Sequence, residues 1–510
     1  LKKGDMGMFV RGKAWYDDAL INGNVRVGNG DQGHTAGTPL SDSSQPAMNK
    51  FTNVVLLDAY VYNTFDVGNK PVQVRAGNQV INWGESLFIQ GLNQTNPIDI
   101  AALRKPGTEI KEALLPVWSL SANLGLGDGA SLEGFYQAKW ASHNIDSCGG
   151  YWSPVEWAIT TSPGSGCSAV ATTAGLTATN SQLQAGGAYV PLSAGKDGKD
   201  SGQFGLAWRF PVKSLDSEVG LYAMQINSRA PFISGQKNVA NAPPNPRPGL
   251  PAYAAAFGGK YDTAFWEYPD NIKVYGASIS TNIAGWSVGG ELSHTPEQPV
   301  QINGNDLLNG VLAGVGPLAA AKSATPGTTI QGYDLIKKTQ LQVNTIKVLP
   351  SMLGAAQGMF VAEAAMQWNQ LPDNGRRYGR AFIFGLGAGP NMPVSPCVAG
   401  TALTNPQQDG CKNDGYVTPV SSGLRLKASL DYPGFVGGYT FTPSLFVAKD
   451  IKGYSSDSQF IQGRQILTYG ARFDYQKKYA FDFNYTTFGN AAYDPFRDRD
   501  FISATFSATF

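Results

Sequence analysis

Residues able to do acid–base or nucleophilic chemistry are few and scattered. The chain carries three histidines, His34, His143 and His294, and four cysteines. A hydrolase needs a base held against a nucleophile. Ser293 adjoins His294, yet neighbours on one strand point to opposite faces and cannot meet. Asp146 follows His143 near a strand end, and no nucleophile can be picked to complete the set. The pattern therefore argues against an enzyme. The cysteines fall into two local pairs, Cys148 with Cys167 and Cys397 with Cys411, among Gly, Ser, Pro and Asp. No histidine flanks either pair, so loop-stapling disulfides in an oxidising compartment are expected over a metal site. Asn22–Gly33 and Asp409–Asp414 offer oxygens but match no EF-hand spacing. No metal and no cofactor are expected.

Charge and composition narrow the class. A net charge of +1 leaves no concentrated basic face for nucleic acid. Charged residues make up 15% of the 510, and aromatic residues 11%; soluble domains carry roughly 25% charge. No apolar run is long enough for a membrane-spanning helix. The other membrane solution is a closed barrel, in which every backbone polar group pairs with a neighbouring strand. The opening residues show neither a charged n-region nor an apolar h-region, so a secretory leader is expected to have been removed.

Alternation supports the barrel. Ile502, Ala504, Phe506, Ala508 and Phe510 share one face, and Ser503, Thr505, Ser507 and Thr509 share the other. Tyr479, Phe481, Phe483 and Tyr485 likewise alternate with Ala480, Asp482 and Asn484. Short connections are expected near Val67–Lys70, Gly127–Gly129, Pro211–Ser217, Ile283–Gly285, Leu349–Gln357, Pro433–Gly434 and Gln476–Lys478. Long ones fall between them, near 17–50, 84–113, 145–202, 230–270, 297–333, 369–420, 450–463 and 489–498. Outer-membrane barrels keep short turns in the periplasm and long loops outside. The expected fold is all-β: one domain over 1–510, a transmembrane antiparallel β-barrel of about sixteen strands. It has long extracellular loops and an internal plug made from loop segments.

A barrel this wide is not filled by its own wall side chains. Segment 84–113, with helical stretches at Asp99–Arg104 and Glu109–Ala113, is the expected luminal plug. Segment 305–321, with Asn305 as cap and Leu307, Leu308, Leu312 and Val315 at helical spacing, reads as a helix. It would stabilise the loops or line a site for a greasy ligand. Phe257, Phe265 and Trp266 join Leu308 and Leu312 as loop positions for ligand contact. Alternation sends Arg11, Lys13, Asp58, Arg75, Glu133, Lys139, Glu291, Glu363, Arg425, Lys427, Asp431, Arg472, Asp474 and Asp482 into the lumen, with Trp83 and Glu85 beside them. Their signs are mixed, unlike the one-signed constriction of a selective ion porin. Most are expected to pair with one another and hold plug segments in place.

Three stretches resemble a proteobacterial outer-membrane family known as domain of unknown function 1302. They are Arg75-Ala76-Gly77-Asn78-Gln79-Val80-Ile81-Asn82-Trp83-Gly84-Glu85-Ser86, Leu56-Leu57-Asp58-Ala59-Tyr60-Val61-Tyr62, and Pro106–Glu112 leading into Leu115-Pro116-Val117. The resemblance runs over nearly the whole chain. It implies a barrel distantly like the porins and fatty-acid transporters, often accompanied by RND-type exporters and a periplasmic carrier protein, and it carries over no transport residues. A strand begins near Met8, so any hatch must come from 84–113. The expected role is passage or binding of a small hydrophobic or amphipathic compound in the bacterial outer membrane, among its lipids and lipopolysaccharide. The alternatives are the outer-membrane component of an RND-type lipid or hydrophobe export system, and a general diffusion porin.

Overall fold

The computed structural model describes residues 2–25, 39–43, 45–104, 113–146, 151–152, 169–171, 189–238, 262–308, 310–311, 314–379 and 414–509. Sixteen long strands form one antiparallel meander. They are β1 (Met6–Tyr16), β2 (Thr52–Val67), β3 (Lys70–Gln79), β4 (Val117–Gly127), β5 (Ala130–Gln137), β6 (Gln203–Val212), β7 (Ser217–Ile226) and β8 (Ile272–Ile283). The second half comprises β9 (Trp286–Gln301), β10 (Tyr333–Leu349), β11 (Gln357–Gln370), β12 (Val420–Asp431), β13 (Thr440–Lys452), β14 (Gln465–Tyr475), β15 (Tyr479–Phe488) and β16 (Phe501–Ala508). Each pairs with its neighbours in sequence, from Phe9↔Tyr60 at β1–β2 to Phe481↔Phe506 at β15–β16.

The residue alternation explains why these segments settle as a membrane wall. Outward-facing Val54, Leu206, Leu341, Phe483 and Ile502 stay between 44% and 80% exposed, while inward-facing Gln79, Glu291, Gln340 and Glu363 are buried. Water would penalise so continuous an apolar exterior; lipid does not. No helix among the described residues is long and apolar enough to cross a membrane. The chain is a β-barrel membrane protein that crosses with strands.

Connections alternate as the sequence suggests. The short ends are 68–69, 128–129, 213–216, 284–285, 350–356, 432–439 and 476–478; the long ones lie at the opposite rim. Three expectations shift. β9 runs on to Gln301, so the loop expected at 297–333 starts only after it. β5 stops at Gln137, which leaves Lys139 outside the wall at the rim, paired at 2.7 Å with Asp200 and exposed. The helix expected over 305–321 is met only in part, by a short α-helix at Gly304–Leu308, helical backbone at 310–311 and a separate 3-10 helix at Ala319–Ser323. Asn303, not Asn305, caps the first, its side-chain oxygen accepting from the Asp306 N–H. Gly314 and Gly316 between them take left-handed φ of 73° and 79°, which ends helical propagation. Both cysteine pairs, Phe257, Leu312, the Leu308 side chain and the Glu109–Lys111 stretch lie outside the described residues.

Candidate functional site: a strap across the lumen and the chamber above it

After β3, residues 80–97 do not rise into the outer medium. They form a strap along the inner wall from β5 to β13. Its ends are tied together: the Ile81 N–H donates to Asn96 Oδ1 at 2.8 Å, and the Thr95 hydroxyl donates to the Ile81 carbonyl. Trp83 is buried against Phe135 of β5 and Tyr222 of β7, with ring centroids 4.9 and 5.8 Å away. Ile81, Leu92, Met224, Ile226, Ile272 and Val274 complete this apolar seam. Trp83 thus fixes the strap to the wall and faces no open space.

Two wall carboxylates hold the middle of the strap. Glu363 on β11 accepts from three consecutive backbone N–H groups, Leu87, Phe88 and Ile89, at 2.9, 2.6 and 2.7 Å. Glu291 on β9 accepts from Glu85 at 2.9 Å and Leu92 at 2.5 Å. An extended strap cannot satisfy its own N–H groups, and a buried carboxylate needs donors; each need meets the other. Gly84 and Gly91 make this close approach feasible, because a Cβ at either would collide with the Glu291 carboxylate. Amides on β10 finish the job. Asn344 donates to the Glu85 carbonyl at 2.6 Å, and Gln340 to the Gln90 carbonyl at 2.8 Å. The Glu85 side chain receives the Ser278 hydroxyl at 3.3 Å.

A second element joins the strap. Loop 453–464 folds inward, so that Phe460 packs with Ile89 and Ala365, and Gln459 donates to the Gln90 carbonyl at 3.1 Å. Asp457 anchors this loop to Lys338 of β10 at 2.6 Å. Burial alone would raise the Asp457 carboxyl, but the Lys338 ammonium and neighbouring donors outweigh it and hold the group below its ordinary range. Arg425 of β12 meets Asp450 at 2.9 Å and lies over the Phe460 ring; Arg464 shares the same Asp450 at 2.7 Å.

Above the strap lies a chamber of about 470 Å³, within the range of small-molecule sites. Gln90, Gln94, Ile98 and Ile100 of the strap and its continuation form part of its lining. Ile226, Ile272, Trp266, Phe460, Ile461 and Phe496 supply apolar walls, and Arg229, Lys338, Asp457, Arg464, His143 and Asp146 the polar ones. His143 Nδ1 accepts from the Ile98 N–H at 2.9 Å, so that nitrogen serves the fold and cannot act as a base.

The remaining luminal positions lie outside this cluster. Glu133 pairs with Arg209 at 2.8 Å, and Arg11 with Asp58 at 2.6 Å. Arg75 leans over Tyr60, 6.0 Å from its centroid. Arg472 reaches Asp482 at 3.1 Å and Asp474 at 3.7 Å; Lys427 is exposed. Of the ligand-contact candidates, Trp266 lines the chamber, while Phe265 is buried under the Lys196 ammonium. Alternation along strands does not reveal Arg229, Asp457 or loop 453–464 as site elements, because all lie beyond strand ends. The apolar Phe460-Ile461 next to Asp457 in a short loop is the signal that marks them.

No curated protein sequence matches the chain. Among solved structures it is similar to OccAB1 of Acinetobacter baumannii, at 10% identity and a TM-score of 0.37 over 98% of this chain and 84% of that one. It is also similar to Salmonella typhi OmpF in complex with daunomycin, at 9% identity and 0.31 over 89% and 90%. The outer-membrane channel DcaP of Acinetobacter baumannii gives 10% and 0.28 over 90% and 94%. Scores this low carry no argument about function, and the barrel rests on the strand register described above. The family model described as "Protein of unknown function (DUF1302)" matches residues 1–510, and the chain belongs to that family.

Proposed function

We propose that this barrel works in the bacterial outer membrane, where its chamber receives a small hydrophobic or amphipathic compound and the strap controls its passage through the lumen. The observation that carries this reading is the chamber of about 470 Å³, lined by the buried strap and walled by both apolar and paired polar side chains. A general diffusion porin needs a water-filled bore, whereas here carboxylates and amides of three adjacent strands are spent on holding a segment inside it, against the wall. The lipid-facing exterior supports outer-membrane lipids and lipopolysaccharide as the surroundings. The opposite rim has turns as short as 68–69, 128–129 and 284–285, a small surface for a periplasmic exporter, so the reading includes no such partner. No step in it is catalytic.

The test is to extract the purified barrel with organic solvent and analyse the extract by mass spectrometry, alongside permeation assays in proteoliposomes. The expected result is a bound amphiphile, with slow entry of small sugars. Rapid, unselective sugar entry with no bound amphiphile would overturn the reading in favour of a porin.

A further inference from the structure

Five basic side chains are buried among the described residues: Arg229, Lys237, Lys338, Arg377 and Arg425. Four have a carboxylate within ion-pair distance. Lys237 meets Asp262 at 2.8 Å, Lys338 meets Asp457 at 2.6 Å, Arg425 meets Asp450 at 2.9 Å, and Arg377 meets Asp306. Arg229 has none. Its Nη1 donates to the Ala141 carbonyl at 2.9 Å, and its Nη2 donates to the Thr95 carbonyl at 3.0 Å and to Gln137 Oε1 at 2.5 Å. All three acceptors are neutral, and Nε has no partner. The residue is 4% exposed and lines the chamber.

A guanidinium removed from water without a counter-charge is costly, and proteins keep one there only where something offsets it. Among the described residues three neutral acceptors and no carboxylate meet Arg229: burial pushes the group down to about 10, and no acid among them raises it. The chamber's other basic side chains are already committed, Lys338 to Asp457 and Arg464 to Asp450. Asp146 also lines the chamber but forms no ion pair with Arg229, so the guanidinium itself leaves room for one negative charge beside the apolar walls.

We propose that the chamber takes an amphiphile with a single anionic headgroup, a carboxylate or another monoanionic acid, which settles at Arg229. The apolar body lies along Ile98, Ile226, Ile272 and Trp266. A cation would meet uncompensated like charge. A neutral hydrophobe would leave the guanidinium as it is. This inference rests on the chamber being the ligand site.

The test uses a matched pair of probes, a ten-carbon alkyl carboxylate and the alcohol of the same length. Each is titrated calorimetrically against the full barrel in neutral detergent. Wild type is expected to bind the acid about tenfold or more tightly than the alcohol, the scale of one charge-assisted contact, with a gap that narrows as salt is added. Arg229→Gln is expected to erase the preference but still bind the alcohol, and Arg229→Lys to keep most of it. Equal affinity for the two probes in wild type, or a preference undiminished in Arg229→Gln, overturns the assignment. If Arg229→Gln does not fold, the wild-type comparison and Arg229→Lys decide. Failure of both probes to bind wild type instead overturns the chamber as a ligand site.

Discussion

The two halves of the lumen wall solve the problem of inward-facing polar residues differently. On β9–β11, Glu291, Gln340, Gln342, Glu363 and Gln367 are all buried beneath the strap. Glu291, Glu363 and Gln340 bind backbone N–H and C=O groups of a distant segment, while Gln342 and Gln367 bond to Gln340 and Gln367 also to Asp457. On β14–β15 the charges pair among themselves, Arg472 with Asp482 across strands at 3.1 Å and with Asp474 on its own strand at 3.7 Å, and the Arg472 side chain stays 48% exposed. β12 marks the border. Arg425 is covered by loop 453–464, while Lys427, two residues along the same face, is exposed. The same residue types on one alternating pattern thus do different work according to what lies over them. Under the strap, water is excluded and each hydrogen bond is costly to lose; across the lumen, water replaces a lost partner.

Substitutions should separate the two halves by size of effect. The largest is expected from Glu363→Ala, which leaves three N–H groups, that of buried Ile89 among them, without an acceptor. At roughly 1–3 kcal/mol for a buried group and less for the two part-buried ones, the cost is about 3–5 kcal/mol, read as loss of β-structure in urea titration and as hydrogen exchange at residues 85–92. Trp83→Ala removes the ring that joins the strap to β5 and β7 and should cost about 3–5 kcal/mol in the same titration. Gly91→Ala drives a methyl into the Glu291 carboxylate; about 1–3 kcal/mol is expected, with faster exchange confined to the strap. Arg472→Ala should cost less than about 1 kcal/mol, as for exposed pairs, and leave strap exchange unchanged. If Arg472→Ala matched Glu363→Ala, the contrast between the halves would not stand.

The barrel was legible in the sequence because alternation and loop length are local signals. The wall is built from hydrogen bonds between sequence neighbours, so Phe481, Phe483 and Tyr485 announce their strand without knowledge of anything distant. Glu291 and Glu363 could be sent to the lumen on the same grounds. Their task could not be read further, because it depends on contacts with residues about two hundred or more positions away. The expected helix over 305–321 stops early for a physical reason: its leucines keep helical spacing, but Gly314 and Gly316 take left-handed φ values that an α-helix does not tolerate. Arg229 was invisible for the opposite reason. It stands just past the end of β7, where no periodicity applies, and its meaning lies in the absence of a carboxylate beside it among the described residues, which only the folded chain reveals. Lys139 was misplaced because alternation alone does not show where a strand ends.

The central claim is that the strap obstructs the lumen and that Glu291 and Glu363 hold it there. Single-channel recording in planar bilayers tests this most directly, comparing wild type with the Glu291→Ala/Glu363→Ala double variant. The account predicts a silent or briefly flickering wild-type barrel and a steady, larger conductance once the two acceptors are removed. A large, steady wild-type conductance that the double variant leaves unchanged would contradict it.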